Sequence, residues 1–234
     1  TFLQNLDRFL KINFDAELSS QDKWILSRLQ QVKTEVEKHL ADYRLDLMSQ
    51  TLYEFVWHDY CDWYLEISKP LLENEKTKQG CEATLLKVLS ETLVLLHPII
   101  PFITEEIFEQ SQKLQSNSTG KLISQPFPEP NKDLLNTEAE AEIDWLKEFI
   151  LGIRKIRGEM NISPGKPLPC FVKSYSSKDQ SYIDNNKAML FALAKLDTVD
   201  ILSQDEEGPE SAIALVGEMK ILIPLAGLID KGAE

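Results

Sequence analysis

Leu52-Tyr53-Glu54-Phe55-Val56-Trp57-His58-Asp59-Tyr60-Cys61-Asp62-Trp63-Tyr64-Leu65-Glu66 is the stretch whose reading decides the fold. Its apolar positions recur at helical spacing. Together with residues on either side they form one broad face, Met48, Leu52, Phe55, Trp63 and Ile67, of a helix that begins near Asp46 and is expected to stop near Pro70. Aromatic stripes at this spacing belong to cores, so Trp57, Trp63 and Tyr64 are read as packing between helices.

Working outward, more helices follow. From Ser20, where Ser20 and Asp22 offer capping oxygens, the positions Ile25, Leu29, Val32, Val36 and Leu40 mark one face. After the charged loop 73–80, the run from Leu85 to Leu96 is apolar nearly all round, as in the middle of a bundle. His97-Pro98-Ile99-Ile100-Pro101-Phe102 removes two backbone donors and ends or kinks that helix, and Thr104-Glu105-Glu106 restarts one with an acidic first turn. The polar stretch 116–136, with Pro126, Pro128 and Pro130, reads as a surface connection. A last long helix from about Glu138 carries Ile143, Leu146, Ile150, Ile153 and Ile156.

The run 161–167, Asn-Ile-Ser-Pro-Gly-Lys-Pro, breaks the helical pattern. Beyond it, 168–173 and 211–225 read as strands, the latter with a Gly217-Glu218 turn, and 184–195 reads as a helix. The expected fold is mainly α: a helical bundle over 1–160, followed by a small α/β appendage over 161–234.

Composition narrows the function. No apolar run approaches the roughly 18 residues of a membrane span. The three cysteines, Cys61, Cys81 and Cys170, are widely spaced and odd in number. That pattern fits reduced thiols in a cytoplasmic protein better than a disulfide framework or a zinc site. Signatures of metallohydrolase, phosphate-loop or serine-hydrolase chemistry are absent. The nearest catalytic lookalike is His58 with Cys61, three apart on one helix face, but a half-buried structural cysteine is the commoner meaning. No catalytic or metal-binding residue is assigned, and binding is the favoured class. The net charge of −13 weighs against nucleic acid, yet Lys147, Arg154, Lys155, Arg157, Lys166 and Lys173 are opposed in their window only by Glu148 and Glu159. That window leaves room for a basic strip on an acidic body.

Four segments carry a family resemblance: Asp22-Lys23-Trp24-Ile25-Leu26-Ser27-Arg28; the opening stretch with its Cys61-Asp62-Trp63-Tyr64-Leu65-Glu66; His97-Pro98-Ile99-Ile100-Pro101-Phe102-Ile103-Thr104-Glu105-Glu106; and Ile156-Arg157-Gly158-Glu159-Met160-Asn161-Ile162 with Pro164-Gly165-Lys166-Pro167. Together they resemble the anticodon-binding region of valyl-tRNA synthetases, class I ligases that load valine onto its tRNA. The resemblance covers nearly the whole chain. It implies a bundle of the class I synthetase anticodon-binding type, a valine tRNA partner, a monomeric chain, and no cofactor in this chain. ATP would belong to a catalytic domain whose signatures are expected upstream of Thr1, and a coiled-coil arm is expected after Asp230. On that reading the chain is a non-catalytic fragment of the ligase.

The resemblance also implies anticodon contacts. Asn5-Leu6-Asp7-Arg8-Phe9 is similar to the family's Asn-Ala-x-Arg-Phe segment, although Leu6 replaces a small residue and Asp7 adds negative charge. Phe9 would stack on an unpaired base, Arg8 would pair with a phosphate or base edge, and Asn5 would hydrogen-bond the loop or hold the helix. Phe9 packed inward beside a solvated Arg8 is the other reading. Arg154, Lys155 and Arg157 either follow the tRNA backbone or form a solvated basic face. The same module from an isoleucyl or leucyl enzyme, a protein-binding helical scaffold, and a thiol hydrolase using Cys61 and His58 are the rivals.

Overall fold

The computed structural model describes residues 16–114, 120–203, 206 and 208–225. By its internal contacts the chain divides into two compact units, Thr1–Glu140 and Ala141–Glu234.

The first unit is helical. Helix α1 spans Ser20–Ala41 and is capped one residue earlier than its sequence suggests. Ser19 Oγ accepts from the Asp22 amide at 3.2 Å, and the Asp22 carboxylate accepts from the Ser19 amide at 3.0 Å, a reciprocal capping box. Helix α2 (Leu45–Glu54) runs through a π-helical segment, Phe55–Tyr64, into α3 (Leu65–Glu73). The π-helical segment alters which residues of the opening stretch face inward. Phe55 and Tyr60 lie five apart, which an α-helix at about 100° per residue would place about 140° apart. The wider coil buries both, together with Tyr64, while Trp63 is only half-buried. The helix also runs past Pro70 to Glu73, because Ile67 and Leu71, at 0% and 4% exposure, anchor its last turns in the core.

Helix α4 (Lys78–Leu96) packs against α1 and α3. Its entry is tight: a Cβ built on Gly80 would sit 2.4 Å from the Glu17 carbonyl oxygen, so only glycine lets the chain entering α1 cross there. Helix α5 (Pro101–Leu114) begins at the second proline of the kink, where the missing N–H needs no helical partner. His97 Nδ1 meets Thr104 Oγ1 at 2.9 Å across the bend.

Residues 120–136 form a strap that is better anchored than a surface connection. Leu122 is buried with Leu93 and Phe108, and its amide donates to Glu105 at 3.0 Å. Ser27, Gln30 and Lys33, polar residues three apart on α1, are buried because they bind the strap. Ser27 Oγ accepts from the Asn136 amide at 2.9 Å, Gln30 Oε1 accepts from the Asn131 amide at 3.0 Å, and Lys33 Nζ donates to the Glu129 carbonyl at 3.3 Å. Lys33 also pairs with Glu91 of α4.

Helix α6 (Thr137–Glu159) carries the boundary between the units after Glu140, upstream of the sequence break at 161–167. Its stripe of Ile143, Leu146, Ile150, Ile153 and Ile156 is buried throughout. In the second unit, β1 (Leu168–Lys173) leads through α7 (Ser177–Ala194) to β2 (Leu196–Ile201), and β3 (Ser211–Val216) forms a hairpin with β4 (Met219–Pro224). The sheet order is β2-β1-β4-β3, with β1 and β2 parallel and β4 antiparallel to both its neighbours. Gly217 takes φ +57° at the first of the two turn residues between β3 and β4, a position that favours glycine. Helix α6 lies close on this sheet: a Cβ at Gly152 would stand 3.2 Å from Ala214 Cβ. Trp145 of α6 packs on Tyr182 of α7 and donates its indole N–H to Asp179 at 2.9 Å. Helix α7 starts at Ser177, well before the expected 184, because Ser176 and Asp179 form a second capping box.

Candidate nucleic-acid interface

Asn5, Arg8 and Phe9, expected to touch the anticodon, lie outside the described residues. The basic window of α6 divides into two kinds of residue. Arg154 and Lys155 are exposed, and Lys155 lies 3.9 Å from Glu159, one turn on.

Arg157 corrects the expectation of a phosphate-facing strip. It is 6% exposed, and its guanidinium donates to the carbonyls of Ser163 at 3.0 Å, Ala194 at 3.0 Å and Lys195 at 2.9 Å. Burial lowers its pKa from the ordinary arginine value, though a guanidinium remains charged. These carbonyls end α7 and enter the loop after α6, groups a helix leaves without internal partners. Arg157 therefore fastens the end of α7 to the loop after α6.

Around that fastening is a pocket of about 600 Å³, lined by Arg154, Arg157, Gly158, Asn161 and Lys195 with apolar neighbours including Ile162. Residues 154, 157 and 158 follow helical spacing, which turns them to one side of the end of α6. Lys195 closes α7 in the left-handed conformation, with φ +52° and ψ +50°. Asn161 has φ +51°. All three ionisable side chains lining the pocket are cationic. Sequence reading found Arg154 and Arg157 but missed Lys195 and Gly158. Lys195 is far away in the chain, and its left-handed backbone had no glycine to signal it.

The opening stretch holds a second correction. Trp57 is 52% exposed and lies stacked with Tyr53, itself 59% exposed, at a ring separation of 6.3 Å and an interplanar angle of 3°. Tyr64, by contrast, is fully buried, with its hydroxyl on Asp22 Oδ1 at 2.5 Å. The His58 and Cys61 pair forms no nucleophile. His58 Nδ1 faces Asp62 at 3.4 Å, and burial, reinforced by Asp62, pushes the Cys61 thiol up, away from the thiolate. Among the described residues no cluster of His, Cys, Asp or Glu could hold a metal ion, and no helix is long and apolar enough to cross a membrane.

The described residues form a helical unit with a buried polar network and a small sheet unit bearing a cationic pocket. A family model described as the anticodon-binding domain of tRNA ligase matches residues 22–172. The chain belongs to that family. It is 42% identical over 246 aligned residues to the valine–tRNA ligase of Legionella pneumophila strain Lens. The same identity holds to the valine–tRNA ligases of strain Paris and of subspecies pneumophila strain Philadelphia 1. Each alignment covers 99% of this chain and 27% of the relative, so the chain spans about a quarter of the length of the curated relatives it matches.

Proposed function

We propose that this chain is the tRNA-recognition module of a valine–tRNA ligase, reading the anticodon loop of valine tRNA and so orienting the acceptor end towards a catalytic domain. The observation that carries the reading is the family match over 22–172, joined to 42% identity with valine–tRNA ligases along 99% of the chain. Recognition needs positioned side chains on a rigid frame and no reactive group of its own. Amino-acid activation and its ATP fall to parts of such a ligase outside this chain. The module acts in the cytoplasm as a monomer, in keeping with its three free thiols.

Asn5, Arg8 and Phe9 supply the anticodon contacts, with Phe9 stacking on an unpaired base. Loss of one stacked base contributes about 1 to 3 kcal/mol, or roughly 5- to 150-fold in affinity. Titration of labelled valine tRNA against Phe9→Ala and Arg8→Ala tests this. Weakening in that range supports the assignment. Wild-type affinity in both variants would instead refute the contacts assigned to Phe9 and Arg8, and absence of tRNA binding by the unaltered chain would point to a protein-binding scaffold.

A further inference from the structure

Single exposed apolar side chains need no explanation, but at the proline kink they gather. Phe102 is 90% exposed and Ile123 of the strap 74% exposed, and both line one pocket of about 340 Å³. Their backbones are well held. The Leu122 amide donates to Glu105 at 3.0 Å, and the Leu122 side chain is buried with Leu93 and Phe108, which keeps Ile123 beside the first turns of α5. The bend that presents Phe102 is spanned by the contact of His97 Nδ1 with Thr104 Oγ1 at 2.9 Å. Polar bonds and core contacts thus hold two large apolar side chains open to solvent, a surface already shaped for a partner.

Charge narrows what covers it. Among the described residues, the carboxylates of Glu105, Glu106 and Glu109 line the same pocket with a single lysine, Lys121. Such a rim repels an RNA backbone. A second copy seated about a twofold axis would set these carboxylates against their own equivalents. A polypeptide surface with an apolar side chain flanked by lysine or arginine meets both the pocket and its rim. The chain spans 27% of the length of the valine–tRNA ligases it matches, so most of a ligase of that size lies outside it and can supply such a surface.

We propose that the surface of Phe102 and Ile123 docks a basic, apolar segment of the rest of the ligase, and that this contact fixes the direction in which the module presents tRNA. An apolar side chain of that segment enters the pocket, and Glu106 and Glu109 pair with its cations. Both surfaces belong to one polypeptide, so their effective concentration is high and a contact of modest area suffices. The inference rests on the ligase reading above and adds a protein-facing surface on the first unit, distinct from the anticodon residues.

Amide hydrogen exchange at residues 103–104 and 121–124 tests this in four samples: the 234-residue chain alone, the same chain at its highest soluble concentration, the chain with excess valine tRNA, and the whole ligase. Exchange there is expected to slow by at least about tenfold in the whole ligase only. Phe102→Ser and Glu106→Lys/Glu109→Lys should each restore the faster exchange and lower kcat/KM for charging valine tRNA by at least about tenfold. The thermal midpoint and tRNA affinity of the 234-residue chain should stay at wild type in both variants, which a purely structural role would not give. Slowing caused by tRNA or by concentration would assign the surface to RNA or to a second copy and overturn the proposal. Equal exchange in all four samples would overturn it whatever the charging rate. A whole protein that charges no valine tRNA would overturn the ligase reading itself, and this contact with it.

Discussion

Tyr64→Phe removes a single oxygen from the centre of the first unit. The Tyr64 hydroxyl donates to Asp22 Oδ1 at 2.5 Å, and both residues are 0% exposed. A donor removed from a buried carboxylate costs about 1.5 to 3 kcal/mol. About 2 kcal/mol is expected here, because Ser19 still holds Oδ2 through its amide at 3.0 Å and its hydroxyl at 2.7 Å. In a chain of this size that lowers the thermal midpoint by about 4 to 8 °C.

The pH dependence follows from the same group. Burial raises the Asp22 pKa, and its bonds from Ser19 and Tyr64 pull it back only in part. Tyr64 itself is pushed well above its ordinary value, first by burial and then by Asp22, so it stays the donor. A carboxyl raised in the folded state contributes stability that is complete below its unfolded pKa, about 3.9, and lost as pH rises through the folded value. Removing the Tyr64 donor raises that folded value further, so the variant loses more at about pH 7 than at about pH 4. Urea unfolding of wild type, Tyr64→Phe, Asp22→Asn and the double variant, followed by tryptophan fluorescence at both pH values, closes the cycle. A loss below about 0.5 kcal/mol at neutral pH, or one that does not shrink in acid, would refute the reasoning.

Gly80→Ala is expected to destabilise by about 1 to 3 kcal/mol despite the better helix propensity of alanine, because its Cβ would press on the Glu17 carbonyl oxygen at 2.4 Å. Thermal melting checks this, and a stabilised variant would remove the close approach from the account. Trp57→Ala is expected to change stability by less than about 1 kcal/mol, against about 3 to 5 for a buried aromatic such as Trp24, since Trp57 is 52% exposed and Trp24 1%. Equal losses in the two variants would show that Trp57 is buried in solution.

Much of the helical unit was legible because its signals are local. The α1 face, the apolar α4, the proline kink and the buried stripe of α6 all follow from spacing and from the donors proline lacks. The π-helical segment was not, since an α-helical period assigns the inward face to Trp63 and leaves Tyr60 out. Trp57 was misread for the same reason: a ring at helical spacing does not reveal on which side of the widened coil it falls. Strand β2 was missed because Asp197 and Asp200 interrupt its apolar pattern, as charges on an edge strand do. Ser27, Gln30 and Lys33 look like a solvated row in sequence. Their partners are backbone groups about a hundred residues away, which no local pattern shows. The pocket was half legible for the same reason, since Arg157 meets its three carbonyls only once α7 has folded.

Recognition of valine tRNA through its anticodon is tested most directly by equilibrium binding of the whole chain to purified valine and isoleucine tRNAs, each also carrying the other's anticodon, at fixed salt. The expected result is tighter binding to valine tRNA, by at least about tenfold or 1.4 kcal/mol, with the preference moving to whichever tRNA bears the valine anticodon. Equal or tighter binding of unmodified isoleucine tRNA, or a preference that stays with the tRNA body after the exchange, would contradict it.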